Sequence, residues 1–245
     1  MKVCILTTVD SPFDPRVFYK VAKSLVKLHD VVVIAPTDEQ RVDEEIEGIM
    51  VIAVRKPANK ILHAITLWRI LREALKQECD VCHCHAPGGL FLGALLKMLK
   101  RSKVVYDARE HYSSLIAENS LFPDFIRPSI RFLADIEERV IIRFADVVIT
   151  VDQILQVKYN KYHKNVVIIS NYPRLILFRE NVWSDDLESK YGKSKLLLYA
   201  GGLTKDRGTL ESIQALQKIV KKVPEAKLVF LGEFMGGDEY KEEVR

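Results

Sequence analysis

The sequence predicts an α/β protein. A doubly wound, largely parallel sheet is expected over residues 1–173, a linker over 174–194, and the first βαβ unit of a second such domain over 195–245. Three observations predict it. Short β-branched runs alternate with segments of helical period, as in a parallel sheet with crossover helices. These runs lack the apolar/polar alternation of half-exposed strands, so helices should cover both faces. The same strand–helix–strand order then restarts after a stretch rich in Arg, Asp and Glu.

Lys2–Thr8 reads as the first strand. Arg16–His29 follows as a helix with Val17, Val21, Leu25 and Leu28 on one face. Asp30–Pro36 is a second strand, the charged residues 37–48 a loop, and Ile49–Val54 a third strand. A helix over 61–77 leads to a fourth strand, Asp80–His85, then a helix from Gly89 to Lys100 and a fifth strand, Lys103–Asp107. A helix over Pro128–Phe144 has its proline in the first turn, where a missing N–H costs nothing. Asp146–Val151, a helix over 153–162 and Val166–Ser170 complete the first domain. In the second, Lys195–Ala200 and Ala226–Leu231 are strands flanking a helix, Thr209–Lys222, closed by Pro224.

Composition narrows the function classes. Of the 245 residues, 48% are hydrophobic and 29% charged, which excludes disordered and fibrous readings. A net charge of +4 suits small anionic ligands or an anionic surface and lacks the dense basic stripe of a nucleic-acid binder. No apolar run is long enough to span a bilayer, and Met1–Val9 meets Asp10 too early for a secretory signal, so a cytoplasmic protein is expected.

Open parallel sheets bind ligands beyond the carboxyl ends of their strands, where strand order reverses. That directs attention to the loops after Thr8, His85 and Asp107. In the first, Asp14 is placed to cap a helix with Pro15 at its first position. Arg16 then sits in the first turn, where the helix dipole disfavours a cation. It is expected either to meet an anion beside free N–H groups or to pair on the surface with Asp10 or Asp14. No G-x-G-x-x-G motif follows the first strand, which argues against a dinucleotide enzyme.

Cys79, Cys82, His83, Cys84 and His85 resemble metal ligands in composition. On a strand, however, 82 and 84 face one side while 83 and 85 face the other, so they cannot converge on one tetrahedral ion. The cysteines should pack as small apolar groups. His83 should be structural. His85, at the strand's end before Gly88 and Gly89, is expected to face the crevice, with the glycines allowing a ligand close. After the fifth strand, Asp107 and Glu110 are the better crevice candidates within Asp107-Ala108-Arg109-Glu110-His111-Tyr112. In the second domain, Gly201-Gly202-Leu203-Thr204-Lys205-Asp206-Arg207-Gly208 joins a strand to a helix N-terminus. Two glycines and two cations there form a cradle suited to a diphosphate; the competing reading is a tight turn with solvated charges.

Taken together, these segments resemble the GT-B glycosyltransferases of the family 4 type. The resemblance rests on Phe13-Asp14-Pro15-Arg16-Val17, on Asp80-Val81-Cys82-His83-Cys84-His85, and on Val104-Val105-Tyr106-Asp107-Ala108-Arg109-Glu110. It continues through Tyr199-Ala200-Gly201-Gly202-Leu203, Arg207-Gly208 and Leu228-Val229-Phe230-Leu231-Gly232. It implies two Rossmann-like domains, the first binding an acceptor and the second a nucleotide-diphosphate sugar. Transfer would retain the anomeric configuration with no metal or other cofactor required. His85, Glu110 and Asp107 would serve catalysis, with Asp14, Arg16, Gly88 and Gly89 on the acceptor side. Gly201, Gly202, Lys205 and Arg207 would hold the donor diphosphate. Gly202 stands where the family often has arginine. No E-x7-E segment follows Gly232, so the donor domain is expected to be incomplete and to need a partner chain or to self-associate. The alternatives are a non-catalytic acceptor-binding module and a nucleotide-sugar epimerase of the same fold.

Arg127, Arg131, Arg139 and Arg143 recur at four- or eight-residue spacing, with Leu115, Ile116, Leu121, Phe122, Phe125 and Ile126 before or at the start of that helix. Basic and apolar groups together suggest peripheral contact with an anionic bilayer or a lipid-linked acceptor. The competing expectation is that the apolar residues join the core and the arginines form a solvated face.

Overall fold

A computed structural model describes residues 1–39, 42–57, 63–117, 123–173, 175, 185–235 and 237–244. The chain forms two compact units, Met1–Arg174 and Leu175–Arg245.

In the first unit β1 (Lys2–Leu6) leads to α1, which is π-helical over Pro15–Ala22 and α-helical over Lys23–Leu25. β2 (Asp30–Thr37), β3 (Val42–Ile46) and β4 (Ile49–Arg55) follow, then α2 (His63–Lys76), β5 (Val81–His85) and α3 (Ala86–Lys100). Next come β6 (Lys103–Ala108), α4 (Tyr112–Ala117), α5 (Arg127–Ile141), β7 (Val147–Thr150), α6 (Gln153–Asn160) and β8 (Val166–Ile168). The sheet order is β3-β4-β2-β1-β5-β6-β7-β8, parallel throughout except for β3. Strand order therefore reverses between β1 and β5, where the βα connections of β1 and β5 depart.

Two cores sandwich the sheet. On one face α2, α3 and α6 bury Ile70, Leu90 and Leu155 against Cys4, Cys82, Cys84, Val104 and Tyr106. The cysteines are free and, apart from the half-buried Cys79, fully buried. On the other face Val17, Phe18 and Ala22 of α1 cover Val3, Ile5, Val31, Val33 and Val51.

Several elements differ from the sequence expectation. Residues 42–46, expected as loop, form the antiparallel edge strand β3. Its charged side chains suit an edge, where they blunt pairing with other chains. The π turn of α1 brings Val17 and Ala22, five residues apart, to one face; the 3.6-residue period instead placed Leu28 there, and Leu28 is exposed. α3 starts at Ala86 directly after β5, without a glycine loop. Ala86 turns the chain at φ 60°, a conformation costly for a residue with a Cβ.

In the second unit α7 (Asp185–Tyr191) precedes β9 (Lys195–Ala200), α8 (Thr209–Ile219), β10 (Ala226–Leu231) and α9 (Gly237–Val244). The β9 and β10 pair is parallel. Part of the expected linker is thus helical, while 176–184 lie outside the described residues. Leu121 and Phe122 also lie outside them.

Gly89 sets how closely α3 approaches β1. A Cβ there would lie 2.9 Å from the Leu6 carbonyl oxygen, with the Cys84 backbone behind it. Gly89→Ala should force backbone apart at the strand-order reversal and cost about 1–3 kcal/mol in urea denaturation. An unchanged denaturation midpoint would show that the contact yields freely.

Candidate functional site

The switch point of the first unit is a linked polar network. Asp14 caps α1 as its sequence predicts, its Oδ1 accepting the N–H groups of Arg16 (2.9 Å) and Val17 (3.0 Å). Thr7 Oγ1 donates to Asp10 Oδ2 at 2.9 Å and accepts the Asp10 N–H at 3.0 Å. Arg109 bridges both loop carboxylates, donating to Asp10 Oδ2 at 2.6 Å and Asp14 Oδ1 at 3.3 Å.

Arg16 departs from both expectations. Its guanidinium is buried and forms a bidentate pair with Asp107, Nε to Oδ2 at 2.9 Å and Nη2 to Oδ1 at 2.8 Å. Nη2 also donates to the Ile169 carbonyl at 3.3 Å. The arginine that meets Asp10 and Asp14 is Arg109. The dipole penalty on a first-turn cation is met by a buried carboxylate from a different strand, a partner that spacing along the chain cannot reveal. Asp107, expected to line the crevice, has no solvent exposure. Burial pushes its carboxyl up, but contacts with His83 and Arg16 and the nearby imidazoles outweigh burial and hold it well below the usual range.

His85 is likewise not at the crevice surface. It is fully buried, its ring stacked on His83 at 5.0 Å and 8°. The side alternation expected along this strand holds: Cys82 and Cys84 enter the core on the α3 side, and the two histidines occupy the other face. Strand pairing sets His85 beside Asp107, and His85 Nδ1 and His83 Nε2 each lie 3.6 Å from Asp107 Oδ2. Both His85 ring nitrogens lack a hydrogen-bond partner among the described residues. Burial, reinforced by His83, drives the His85 pKa well below its ordinary value, so the ring is neutral.

Gly88 and Gly89 also differ from expectation. They lie in the first turn of α3, and the space above them holds Thr8 and the Leu6 carbonyl rather than an opening for a ligand. Glu110 is exposed in the loop after β6. His83, His85 and Asp107 each offer a ligand atom within 4.8 Å of the others, a set that could hold a metal ion. Both Asp107 oxygens already accept from Arg16, however, and the guanidinium opposes a second cation there.

Sequence reasoning placed Arg109 among the polar groups after the fifth strand but passed over it in favour of Asp107 and Glu110. Strand alternation does not separate Asp107 from Arg109, since 105, 107 and 109 share one side; Arg109 lies beyond the end of β6 at Ala108, where the strand no longer sets its direction.

The second unit carries the other candidate. β9 runs into Gly201 (φ 149°) and Gly202, and a short 3₁₀ turn at Lys205–Arg207 leads through left-handed Gly208 into α8. Nη1 of Arg207 lies 3.6 Å from the position of a Cβ on either Gly201 or Gly202, so the guanidinium lies near both glycines, with the Met235 thioether closer still over Gly202. Lys205 and Arg207 are exposed, and no side chain caps α8. Gly232 abuts the loop so closely that a Cβ would lie 1.8 Å from the Gly201 oxygen. Bare N–H groups and two cations at a helix start favour an anion.

The reversed-order parallel sheet with helices on both faces and the parallel β9–β10 unit together make the fold that of a GT-B glycosyltransferase. The sequence profile of Glycosyltransferase Family 4 matches residues 15–172, and the chain belongs to that family. Among solved structures, sucrose-phosphate synthase from Thermosynechococcus elongatus is similar at TM-score 0.63 and 14% identity, with 94% of this chain and 62% of that one covered. Anabaena HepE in complex with UDP-glucose is similar at TM-score 0.63 and 18% identity, with 100% and 64% covered. The chain thus spans under two thirds of the length of either. No curated protein sequence matches it.

Removing the Arg16 side chain as Arg16→Met should leave a buried, unpaired carboxylate and cost about 3–5 kcal/mol. The double variant Arg16→Met/Asp107→Asn should recover a large part of that loss; equal midpoints for single and double variants would rule out the pair as the cause. His85 is neutral when folded and titrates normally when unfolded, so it takes up its proton only on unfolding. Stability should therefore fall as pH drops below about 6.5, by about 1.4 kcal/mol per pH unit from this group. His85→Leu should flatten that limb in denaturation curves taken between about pH 6.5 and 4.5, above the range where Asp107 contributes. A wild-type slope in the variant would place the titration elsewhere.

Proposed function

We propose that this chain carries the acceptor-side domain and the donor-diphosphate loop of a glycosyltransferase. It would transfer a sugar from a nucleotide-diphosphate sugar to a polysaccharide or lipid-linked acceptor, with retention of configuration. One observation carries the reading: Arg207 lies over Gly201 and Gly202 beside the uncapped start of α8. Departure of a nucleoside diphosphate leaves negative charge on the diphosphate oxygens. Gly201 lets those oxygens approach the backbone, Gly202 does so once the Met235 thioether moves from above it, and Arg207 and Lys205 oppose the charge. The cations take the role a divalent ion would otherwise fill, so no metal is required. The family match and the likeness to a HepE structure holding UDP-glucose support a nucleotide sugar as the donor class, with UDP-glucose the first to test.

On the acceptor side, Asp14 and Glu110 contribute carboxylates at the mouth of the switch point. Asp107 acts from beneath. Locked by Arg16, it keeps a fixed negative charge beside His85, 3.6 Å from its Nδ1. Gly88 and Gly89 serve the acceptor indirectly, by letting the start of α3 approach β1.

Isothermal titration of the full chain with UDP-glucose should give saturable binding. Arg207→Ala should weaken it at least about tenfold, the value of a charge-assisted hydrogen bond, without shifting the thermal midpoint. Absence of binding, or equal affinity in the variant, would overturn the donor assignment.

A further inference from the structure

All four cysteines of the chain gather in one core cluster on one face of the sheet. Cys4 on β1 and Cys82 on β5 stand opposite each other in the strand register. Cys84 follows on β5, its Sγ against Gly93 of α3. Cys79 lies in the irregular stretch between α2 and β5 and packs against the same cluster. Neither the switch point nor the donor loop uses these thiols.

Cys82 and Cys84 are inert by placement. Both lack solvent exposure, and burial pushes the Cys82 thiol up to about 12 and the Cys84 thiol well above its ordinary value. Cys79 is the one cysteine that reaches solvent. Its surroundings are cationic. Lys2 Nζ donates to Gln77 Oε1 at 3.1 Å and Lys100 Nζ to the Gln77 carbonyl at 2.8 Å, which holds both ammonium groups two residues from Cys79.

Backbone contacts fix the same segment against β1. The Asp80 N–H donates to the Lys2 carbonyl at 2.9 Å, and the Lys2 N–H donates to Asp80 Oδ2 at 2.8 Å. Ser102 Oγ donates to the Cys79 carbonyl at 2.7 Å. Beside the amino end of β1, the Cys79 and Cys4 thiols share a side-chain hydrogen bond. That bond and burial raise the Cys4 thiol well above its ordinary value, so Cys4 keeps its proton. The same bond, with Lys2 and Lys100, outweighs partial burial and the Asp80 carboxylate and lowers Cys79. A partly exposed thiol among cations, facing a second thiol, is the setting in which cysteine is oxidised selectively.

We infer that Cys79 and Cys4 form a reversible disulfide when a hydroperoxide reaches the chain, with Cys79 as the attacking sulfur and Cys4 as the resolving one. The Cys79 thiolate attacks a peroxide oxygen; the S–O bond forms, the O–O bond breaks, and the departing oxyanion takes a proton from water. Sulfur is oxidised to a sulfenic acid and the peroxide is reduced. The Cys4 sulfur then attacks the Cys79 sulfur. The S–S bond forms, the S–O bond breaks, and hydroxide leaves with the Cys4 proton as water. A small thiol reverses the bond by exchange. Cys79 lies outside regular structure, which lets its backbone adjust to the short span a disulfide requires. The inference does not depend on the donor assignment. Cys79 precedes β5, at the end of the sheet opposite the switch point, and the test reads sulfur chemistry instead of transfer.

The test treats the full, reduced chain with hydrogen peroxide, alkylates it and maps its peptides by mass spectrometry without reduction. A peptide linked through Cys4 and Cys79 should appear, two of the four thiols should be lost, and dithiothreitol should restore them. Cys79→Ser should slow thiol loss at least about tenfold and abolish the link. Cys4→Ala should leave Cys79 as a sulfenic acid that dimedone traps. The wild-type peptide map decides the matter even where a variant fails to fold. A link from Cys79 to Cys82, a disulfide between two chains, or four thiols left free after peroxide would each overturn the inference.

Discussion

The buried pair between Arg16 and Asp107 organises the first unit. It reaches from the first turn of α1 to the carboxyl end of β6 and so crosses the point where strand order reverses. Both groups give up hydration to form it. Two parallel hydrogen bonds to the carboxylate and a third to the Ile169 carbonyl offset that loss. A pair so enclosed has few alternative geometries. It fixes the entry angle of α1, the end of β6 and the start of the segment after β8 relative to one another.

The neighbouring groups follow from that anchor. A carboxylate held ionised under two stacked imidazoles gives His83 and His85 a fixed electrostatic environment, while burial keeps the His85 ring neutral. Above the pair, Arg109 draws Asp10 and Asp14 together and closes the loop after β1. The buried charges Arg16 and Asp107 pair with each other, and the less buried Asp10, Asp14 and Arg109 pair among themselves, so each has a partner that limits its motion. Such preorganisation lets a site favour developing charge without reorganising at the moment of reaction. In the second unit, two glycines, a helix start with no side-chain cap and the Arg207 guanidinium share one βα connection.

A second buried carboxylate, Glu138, anchors α5 with three hydrogen bonds instead of an apolar stripe. The helix's large apolar side chains are consequently released from core packing and available outside. Of the apolar residues expected near this helix, Leu115, Ile116 and Phe125 are exposed, and the arginine face is solvated, with Arg127 and Arg139 paired to Asp124 and Asp135.

The doubly wound class, most strand positions, the side alternation of the cysteines and histidines and the Asp14 cap were all legible in the residue order. Each depends on local period or on neighbours within one turn. The loop sequence likewise identified Gly201, Gly202 and Arg207 as one cluster, because they sit on a single βα connection. What chain order could not contain were contacts between distant segments: Arg16 with Asp107, Arg109 with Asp10 and Asp14, and Gly89 against Leu6. A charged residue in a helix's first turn looks the same in sequence whether it faces water or a carboxylate ninety-one positions away. Which strand end packs beside which loop is decided only when the sheet closes, and that packing determined that His85 and Asp107 lie beneath the crevice instead of along it.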